Sequence, residues 1–323
     1  MDSDTLQKLE RRLGRRHARQ RLGIERDAES RAFGQGLNFF HIENWYSAHA
    51  VIRLSLMMSG LYWRGRRNAE RVRLTRHEAG FTDLPRAFQG FRILHISDLH
   101  VEMNPVAMQA AARLAKESEY DICVMTGDFR ANTYGPFDEM MEGLAKLREA
   151  IDSPVYAVLG NHDSILMVPA MEEIGIRVLV NECELLERDG QRLFLAGIDD
   201  AHFFRVDNIE KVAEEVPDGD FAILLSHTPE VYRQAAHADF RLMLSGHTHG
   251  GQICLPGSVP VTLDAKLPRH MGAGAWRYHE LIGYTSVGAG SCIVPVRLNC
   301  PPEITLHTLN RIEGPGDKSG SAQ

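Results

Sequence analysis

The sequence predicts an α/β fold, because apolar runs alternate with helical segments along much of its 323 residues. Three apolar runs, at residues 91–96, 121–125 and 155–159, are each followed by polar residues. Predicted helices at 105–116, which starts with Pro105, and at 136–149 lie between them. This strand–helix–strand rhythm is typical of α/β sheets, which bind ligands at the carboxyl ends of their strands.

Shorter apolar runs continue the pattern through the second half of the chain. They predict strands at residues 177–180, 184–187, 192–196, 221–225, 240–244, 284–287 and 303–309. The last residues are rich in Gly, Ser and charge, which predicts a disordered tail. We therefore divide the chain into a helical extension at residues 1–80, a main domain at 81–312 and a tail at 313–323.

The extension is basic, whereas the rest of the chain is acidic. Residues 1–80 hold 16 Lys and Arg against 9 Asp and Glu, a net charge of +7, and the whole chain carries −7, which leaves −14 for residues 81–323. This asymmetry predicts an anionic partner, either a membrane surface or nucleic acid. Residues 1–36 fit an Arg-rich helix, which is either a solvated or disordered arm or an arm that binds lipid head groups or phosphates.

An aromatic segment at residues 37–67 follows the arm. It contains Trp45 and Trp63, and Arg64, Arg66 and Arg67 stand at its end. Aromatic residues beside a basic cluster fit an interfacial helix that enters a bilayer shallowly. They fit equally a helical hairpin packed on the main domain or on a second subunit, and the sequence leaves this choice open.

Cysteine usage and the lack of long apolar segments predict the compartment. Five scattered cysteines without a Cys-x-x-Cys pair indicate free thiols in a reducing environment. The first thirty residues lack the apolar region of a secretory signal, and the aromatic segment lacks the roughly 18 uninterrupted apolar residues of a spanning helix. We expect a cytoplasmic protein, with peripheral contact at the inner membrane if residues 37–67 bind lipid.

Residues suited to metal binding follow five of the apolar runs. Each run ends in side chains that offer oxygen or nitrogen ligands: Asp98, His100, Asp128, Asn161, His162, His227, His247 and His249. Carboxylate and imidazole ligands together suit Mn, Fe or Zn, and eight candidates exceed the roughly four to six that one ion takes. The sequence therefore predicts two divalent ions that share a ligand.

In type and order these motifs resemble the calcineurin-like metallophosphoesterase superfamily. The resemblance covers about residues 91–310 and rests on Asp98-x-His100, Gly127-Asp128, Gly160-Asn161-His162-Asp163, His227 and Gly246-His247-x-His249. It implies a four-layer α/β/β/α sandwich (the metallophosphoesterase fold), whose metal site lies on strand-end loops. It also implies a phosphoester hydrolase, in which two ions neutralise the phosphate oxygens and lower the pKa of a bridging water.

The same resemblance implies a role for each motif residue. One ion is expected at Asp98, His100, Asp128 and His249. The second is expected at Asp128, Asn161, His227 and His247, so that Asp128 bridges the two. His162 is expected to contact the substrate phosphate or to protonate the leaving oxygen, as the unperturbed pKa of histidine, about 6.5, suits a general acid.

Residues around the motifs indicate which branch of the superfamily the chain resembles. Phe129-Arg130-Ala131 follows Asp128 where Ser/Thr protein phosphatases carry a further Asp-Arg-Gly, and no tyrosine adjoins Asp128 as purple acid phosphatases require. The segment 226–230, the segment 246–252 and the late Pro295-x-Arg297 resemble a bacterial membrane-associated branch. That branch includes a UDP-2,3-diacylglucosamine pyrophosphatase.

Three functions remain open at this point. The first is a dimetal phosphodiesterase or pyrophosphatase on a lipid-linked substrate such as UDP-2,3-diacylglucosamine. The second is the same chemistry on a soluble nucleotide or nucleic acid, and the third is a non-catalytic metal-binding scaffold. The residues predicted to contact substrate are Arg130, Arg269 and Arg297.

Overall fold

The computed structural model describes residues 3–33 and 46–313. Within these ranges the helices and strands follow one another as α1 (Ser3–Leu13), α2 (Arg15–Phe33), α3 (Tyr46–Met58), α4 (Leu61–Ala69), β1 (Arg73–Phe81), β2 (Phe91–Ile96), α5 (Pro105–Lys116), β3 (Ile122–Thr126), α6 (Asp138–Arg148), β4 (Val155–Val158), α7 (Val168–Glu173), β5 (Ile176–Val178), β6 (Glu182–Arg188), β7 (Gln191–Gly197), α8 (Ile209–Glu214), β8 (Ala222–Leu225), α9 (Tyr232–His237), β9 (Leu242–Ser245), β10 (Cys254–Leu255), β11 (Val259–Pro260), β12 (Gly274–Tyr278), β13 (Leu281–Thr285) and β14 (Glu303–Arg311).

Two six-stranded sheets form the centre of the molecule. The first has the strand order β1-β14-β2-β3-β4-β5, and the second has the order β12-β13-β9-β8-β7-β6. Strands β2 to β5 run parallel to one another, as do β7, β8, β9 and β13. The carboxyl ends of each parallel set therefore lie at one edge of its sheet, where loops can combine their side chains.

Apolar side chains from the two sheets pack face to face. Ile93 and Val124 of the first sheet share a buried cluster with Leu195, Ile223 and Leu244 of the second. Helices α5, α6 and α7 cover the outer face of the first sheet, and α8 and α9 cover the outer face of the second. This arrangement confirms the predicted four-layer sandwich.

Several predicted elements have their expected bounds, and local chemistry explains why. Helix α5 begins at Pro105 because Asn104 caps it: the Asn104 side chain accepts a hydrogen bond from the Ala107 amide at 3.2 Å. Strand β1 was not predicted, and all of it except Phe81 lies in the segment assigned to the helical extension. It is an edge strand that contains Arg73, Arg76 and Glu78 and therefore lacks a continuous apolar run, and it joins the sheet only by pairing in parallel with β14. The division at residue 80 stays a prediction.

The N-terminal arm, α1 and α2, packs on the domain and is not a solvated helix. Leu9, Ala18 and Leu22 are buried in the apolar cluster beneath α5, α6 and α7. Arg12 forms ion pairs with Glu172 and Glu182. Part of the basic charge of the extension is therefore neutralised within the molecule.

Helices α3 and α4, which follow the arm in the chain, form a hairpin. Leu56 and Tyr62 pack on Val294, Val296 and Leu298. None of the helices within the described ranges has the length and apolar character needed to cross a bilayer. Residues 34–45 and 314–323 lie outside the described residues, and with them the start of the predicted aromatic segment and nearly all of the predicted tail.

Candidate metal centre

The backbone turns sharply where five of the predicted ligands leave their strands. These five residues have positive φ angles, which residues other than glycine rarely adopt: Asp98 (52°), His100 (39°), Asp128 (56°), His247 (70°) and His249 (50°). Such strained backbone concentrates at functional sites, where the surrounding structure holds it in place. Here it directs side chains from both sheets toward one region.

Four of these side chains form a first ligand cluster, Asp98, His100, Asp128 and His249. One potential ligand atom from each lies within 4.8 Å of the others, and all four residues are buried. The Nε2 atoms of His100 and His249 are 3.1 Å apart. Nε2 of His249 lies 3.5 Å from Oδ1 of Asp98. The cluster contains the residues that the sequence assigned to one ion.

A second ligand cluster surrounds Nε2 of His227. Oδ1 of Asn161 is 3.0 Å from this nitrogen, Nδ1 of His247 is 3.2 Å from it, and Oδ2 of Asp128 is 3.3 Å from it. One potential ligand atom from each of Asp128, His227 and His247 lies within 4.8 Å of the others. Because Asp128 belongs to both clusters, the geometry suits two ions with one shared carboxylate.

The electrostatics of the pocket fit cations. Burial by itself would lower the pKa of His227, but the carboxylates of Asp128 and Asp98 outweigh it and raise the pKa to about 10. Burial, with the neighbouring Asp128 carboxylate, raises the pKa of Asp98 to about 7 despite the opposing effect of His227. Without an ion, the carboxylates thus draw protons into the pocket, and divalent ions would supply that positive charge instead.

The remaining imidazoles are suited to bind metal as neutral ligands. Burial lowers the pKa of His100 to about 4 and holds that of His247 and His249 well below the usual value. Nε2 of His247 is buried and has no hydrogen-bond partner among the described residues. A neutral imidazole is the form of histidine that binds metal. Because Nδ1 of His247 faces the second cluster and Nε2 of His249 faces the first, the donor set fits a dinuclear divalent site.

Backbone carbonyl groups orient two of these rings. Nδ1 of His227 lies 2.7 Å from the carbonyl oxygen of Thr126, and Nδ1 of His100 lies 2.9 Å from that of Arg130. When Nδ1 donates to a carbonyl, Nε2 keeps its lone pair for the metal, as is usual for metal-binding histidines.

Asp163 supports the backbone of the ligand-bearing turns, a role that the sequence did not reveal. Its carboxylate accepts hydrogen bonds from the amides of Asp128 and Gly160, both at 2.8 Å, and of Phe129 at 3.0 Å. The strand-end turns that carry Asp128 and Asn161 are thereby joined. The aspartate in Gly160-Asn161-His162-Asp163 was the available sequence clue.

His162 lies beside the clusters and belongs to neither. Its ring centroid is 5.1 Å from that of His100, and it lines the cavity above the ligands. Its Nδ1 is 3.1 Å from Oγ1 of Thr133, a partner that the sequence did not predict. This position suits a group that acts on substrate.

The cavity above the ligands has a volume of about 650 Å³. Polar ligands form its base, and its walls include Ile52 of α3 and Ile253, Leu263, Ile293 and Val294. The volume falls within the range of about 300–1,000 Å³ found for small-molecule sites. Cys292, which the sequence analysis did not select, also lines this cavity and lies within 4.8 Å of ligand atoms of His100 and His249.

Two of the three arginines predicted to contact substrate lie elsewhere. Arg297 is fully buried, and its guanidinium donates to the carbonyl oxygens of Gly288, Gly290 and His249, so it supports the His249 loop instead of lining the cleft. Arg130 lines a neighbouring cavity of about 320 Å³ and donates to the carbonyl oxygen of Gly135. Arg269 is exposed and donates to the carbonyl oxygen of Pro260, so its substrate role stays a prediction.

Comparison with known proteins identifies the family. Residues 91–251 match the profile of the calcineurin-like phosphoesterases. The chain is 31% identical over 257 residues to the uncharacterized metallophosphoesterase YkoQ of Bacillus subtilis (strain 168), covering 76% of this chain and 94% of that protein. It is 29% identical over 248 residues to the uncharacterized metallophosphoesterase YkuE of the same organism, covering 74% of this chain and 85% of that protein.

A further relative has a more specific name. Phosphodiesterase YaeI of Escherichia coli (strain K12) is 27% identical over 232 residues, covering 68% of this chain and 82% of that protein. The chain therefore belongs to the calcineurin-like phosphoesterase family and is a metal-dependent phosphoester hydrolase.

Proposed function

We propose that this calcineurin-like phosphoesterase cleaves a phosphodiester or pyrophosphate bond in a lipid-linked substrate of the UDP-2,3-diacylglucosamine kind. The apolar wall of the cavity above the ligand clusters is the observation that carries this proposal. Ile52, Ile253, Leu263 and Val294 face the same cavity as Asp128 and His162. A phosphate at the ligands would place an attached acyl group against these side chains.

Apolar surface extends from both elements that flank the cavity. Helix α3 exposes 62% of Val51 and 55% of Leu54, and the β10–β11 hairpin exposes 57% of Leu255 and 50% of Val259. Exposed apolar patches of this kind mark interaction sites. Acyl chains that are longer than the cavity would remain in contact with apolar surface outside it.

The residues of the site divide the proposed reaction among them. Two bound ions would offset the phosphate charge and lower the pKa of a water molecule. The Asp128 carboxylate spans the two clusters, while Asn161 supplies a neutral oxygen and so limits negative charge near an anionic substrate. His162, whose Nδ1 contacts Thr133, would donate a proton to the leaving oxygen.

Turnover of a substrate panel by the manganese-loaded full chain tests the proposal. We expect UDP-2,3-diacylglucosamine to be cleaved with a higher kcat/KM than its deacylated analogue. The panel also contains a cyclic nucleotide, single-stranded DNA and bis-p-nitrophenyl phosphate. Preference for the deacylated compound, a nucleotide or DNA would replace the lipid-linked substrate with a soluble one. No turnover of any ester would favour the scaffold function.

A matched pair of variants tests the apolar wall. Ile52→Asn should lower kcat/KM for the acylated compound by roughly tenfold, because it removes part of about 1.5–3 kcal/mol of apolar burial. It should leave turnover of bis-p-nitrophenyl phosphate unchanged. Leu185→Asn, at a 43% exposed position on β6, serves as the control. Equal losses on both substrates would assign Ile52 to stability instead of substrate contact.

We also propose that the protein is cytoplasmic and binds the inner membrane peripherally through α3 and α4. Met58 and Trp63 are 75% and 61% exposed, and Arg64, Arg66 and Arg67 are exposed next to them. Apolar and basic side chains on one surface fit an anionic lipid interface. The full chain should sediment with anionic vesicles, and Trp63→Ala should weaken this binding. Equal recovery with neutral and anionic vesicles would argue against a role for the arginines.

A further inference from the structure

Helix α2 of the N-terminal arm carries an arginine that reaches the backbone behind the metal centre. Arg21 is fully buried, and its Nη2 donates to the carbonyl oxygen of Asp163 at 3.0 Å. Its Nε donates to Oδ1 of Asp199 at 3.3 Å, and its guanidinium carbon lies 3.6 Å from the centroid of the Phe204 ring. A buried arginine is costly unless such partners hold its charge.

One turn further along α2, Glu25 contacts the next two residues of the same segment. Its Oε2 accepts a hydrogen bond from Oγ of Ser164 at 2.6 Å, and its Oε1 accepts one from the Ile165 amide at 2.8 Å. Glu25 also lies 3.2 Å from Arg21 as an ion pair. A single stretch of α2 therefore fixes three consecutive residues, 163–165.

This segment follows directly after Asn161 and His162. The carboxylate of Asp163 accepts hydrogen bonds from the amides of Asp128 and Gly160, so its position sets the turns that carry Asp128 and Asn161. Arg21 holds the carbonyl group of the same residue. A continuous set of contacts thus leads from the arm to the second ligand cluster.

We propose that Arg21 and Glu25 are positioning residues of the metal centre, and that α2 acts through Asp163 to place Asp128 and Asn161. This inference rests on the proposed function, in which those two residues bind metal. It gives the arm a role in the reaction, distinct from the lipid or nucleic-acid contact that its charge alone suggested. Arg21 touches neither substrate nor metal, so its effect should appear first in metal affinity.

Metal titration of Arg21→Met and Arg12→Met gives a matched test. Both residues attach the same arm by ion pairs, but Arg12 contacts Glu172, Glu182 and the carbonyl group of Val178 and does not touch residues 163–165. Calorimetry with Mn²⁺ and absorption titration with Co²⁺ report the number of ions, their affinities and their ligand field. Thermal unfolding and the kcat and KM for bis-p-nitrophenyl phosphate are measured on the same samples.

We expect Arg21→Met to bind the ion of the second ligand cluster, which would take both Asp128 and Asn161, roughly tenfold more weakly and the other ion less so, because outer partners of metal ligands typically contribute about 10–100-fold to affinity. The kcat at limiting metal should fall, with KM unchanged, and excess Mn²⁺ should restore part of it. Arg12→Met should bind both ions as the unmodified protein does. Arg21→Lys, which keeps one donor for the Asp163 carbonyl group, should lie between the two.

Other outcomes separate this inference from the proposed function. If Arg21→Met binds both ions with unchanged affinity and ligand field, the inference is wrong although the dimetal function stands. If the unmodified protein itself fails to bind two ions, the proposed function fails. If Arg21→Met does not fold, the same metal titration is carried out on Glu25→Ala. A metal affinity equal to that of the unmodified chain would reject the inference, and a roughly tenfold loss would support it.

Discussion

Nδ1 of His227 lies 2.7 Å from the carbonyl oxygen of Thr126, so a residue at the end of β8 in the second sheet meets the end of β3 in the first. The hydrogen bond leaves Nε2 of His227 facing Asn161 and Asp128. The first sheet supplies Asp98, His100, Asp128 and Asn161 to the two ligand clusters, whereas the second supplies His227, His247 and His249. The site therefore depends on how the two sheets pack.

Asp128→Asn should abolish hydrolysis and weaken the binding of both ions. Its carboxylate belongs to both ligand clusters, and the substitution replaces a charged oxygen by an amide nitrogen that cannot bind a cation. Manganese calorimetry and turnover of bis-p-nitrophenyl phosphate measure the two effects, with the exposed Asp218→Asn as control. Near-normal activity in Asp128→Asn would contradict the two-ion site.

His162→Ala should keep both ions and lose turnover by about 10²–10⁴-fold, the usual contribution of a general acid. The residue lines the cavity but belongs to neither ligand cluster. Thr133→Val should give a smaller loss and a shifted pH profile, because it removes the group that contacts Nδ1 of His162 at 3.1 Å. Full turnover in His162→Ala would remove this residue from the mechanism.

Gly246→Ala should disrupt the first ligand cluster. A Cβ atom at this position would collide with Oγ of Ser97 and Oδ2 of Asp98, which are themselves buried and cannot move freely. Gly23→Ala in α2 is the control, since nothing lies within 4 Å of a Cβ there. The control should raise the free energy of unfolding by about 0.4–1 kcal/mol. Normal metal binding by Gly246→Ala would show that the loop has more room than its contacts indicate.

Removal of metal by a chelator should lower the unfolding temperature, and added Mn²⁺ should restore it. Ions that bind only the folded state stabilise it by about 2.7 kcal/mol each when their concentration is 100 times Kd. Without them, the carboxylates of Asp98 and Asp128 remain buried together. Differential scanning calorimetry measures the change. The Asp128→Asn variant should respond much less, and an equal response from it would place the stabilising metal elsewhere.

Local patterns were sufficient to predict which candidate ligands follow the strands. An apolar run followed by Asp98, Asp128 or Asn161 marks the carboxyl end of a parallel strand, and parallel strands bring such ends together at one edge. Helix α5 was equally predictable, because its start at Pro105 and its Ala-rich periodicity are local properties of the chain. Sequence patterns predict an element correctly where the interactions that form it are between residues close together in the chain.

By itself the sequence determined the alternation of strands and helices, the donor atoms at the strand ends and hence the class of chemistry. Tertiary structure alone decided that β1 completes the first sheet, that Arg297 lies beneath His249 instead of in the cleft, and that Arg21 reaches Asp163. Each of these contacts joins residues that are distant in the chain, and its free energy depends on burial and hydrogen-bond geometry that appear only after the layers pack. An arginine in an exposed loop and one that supports a residue of the ligand clusters therefore look alike in sequence.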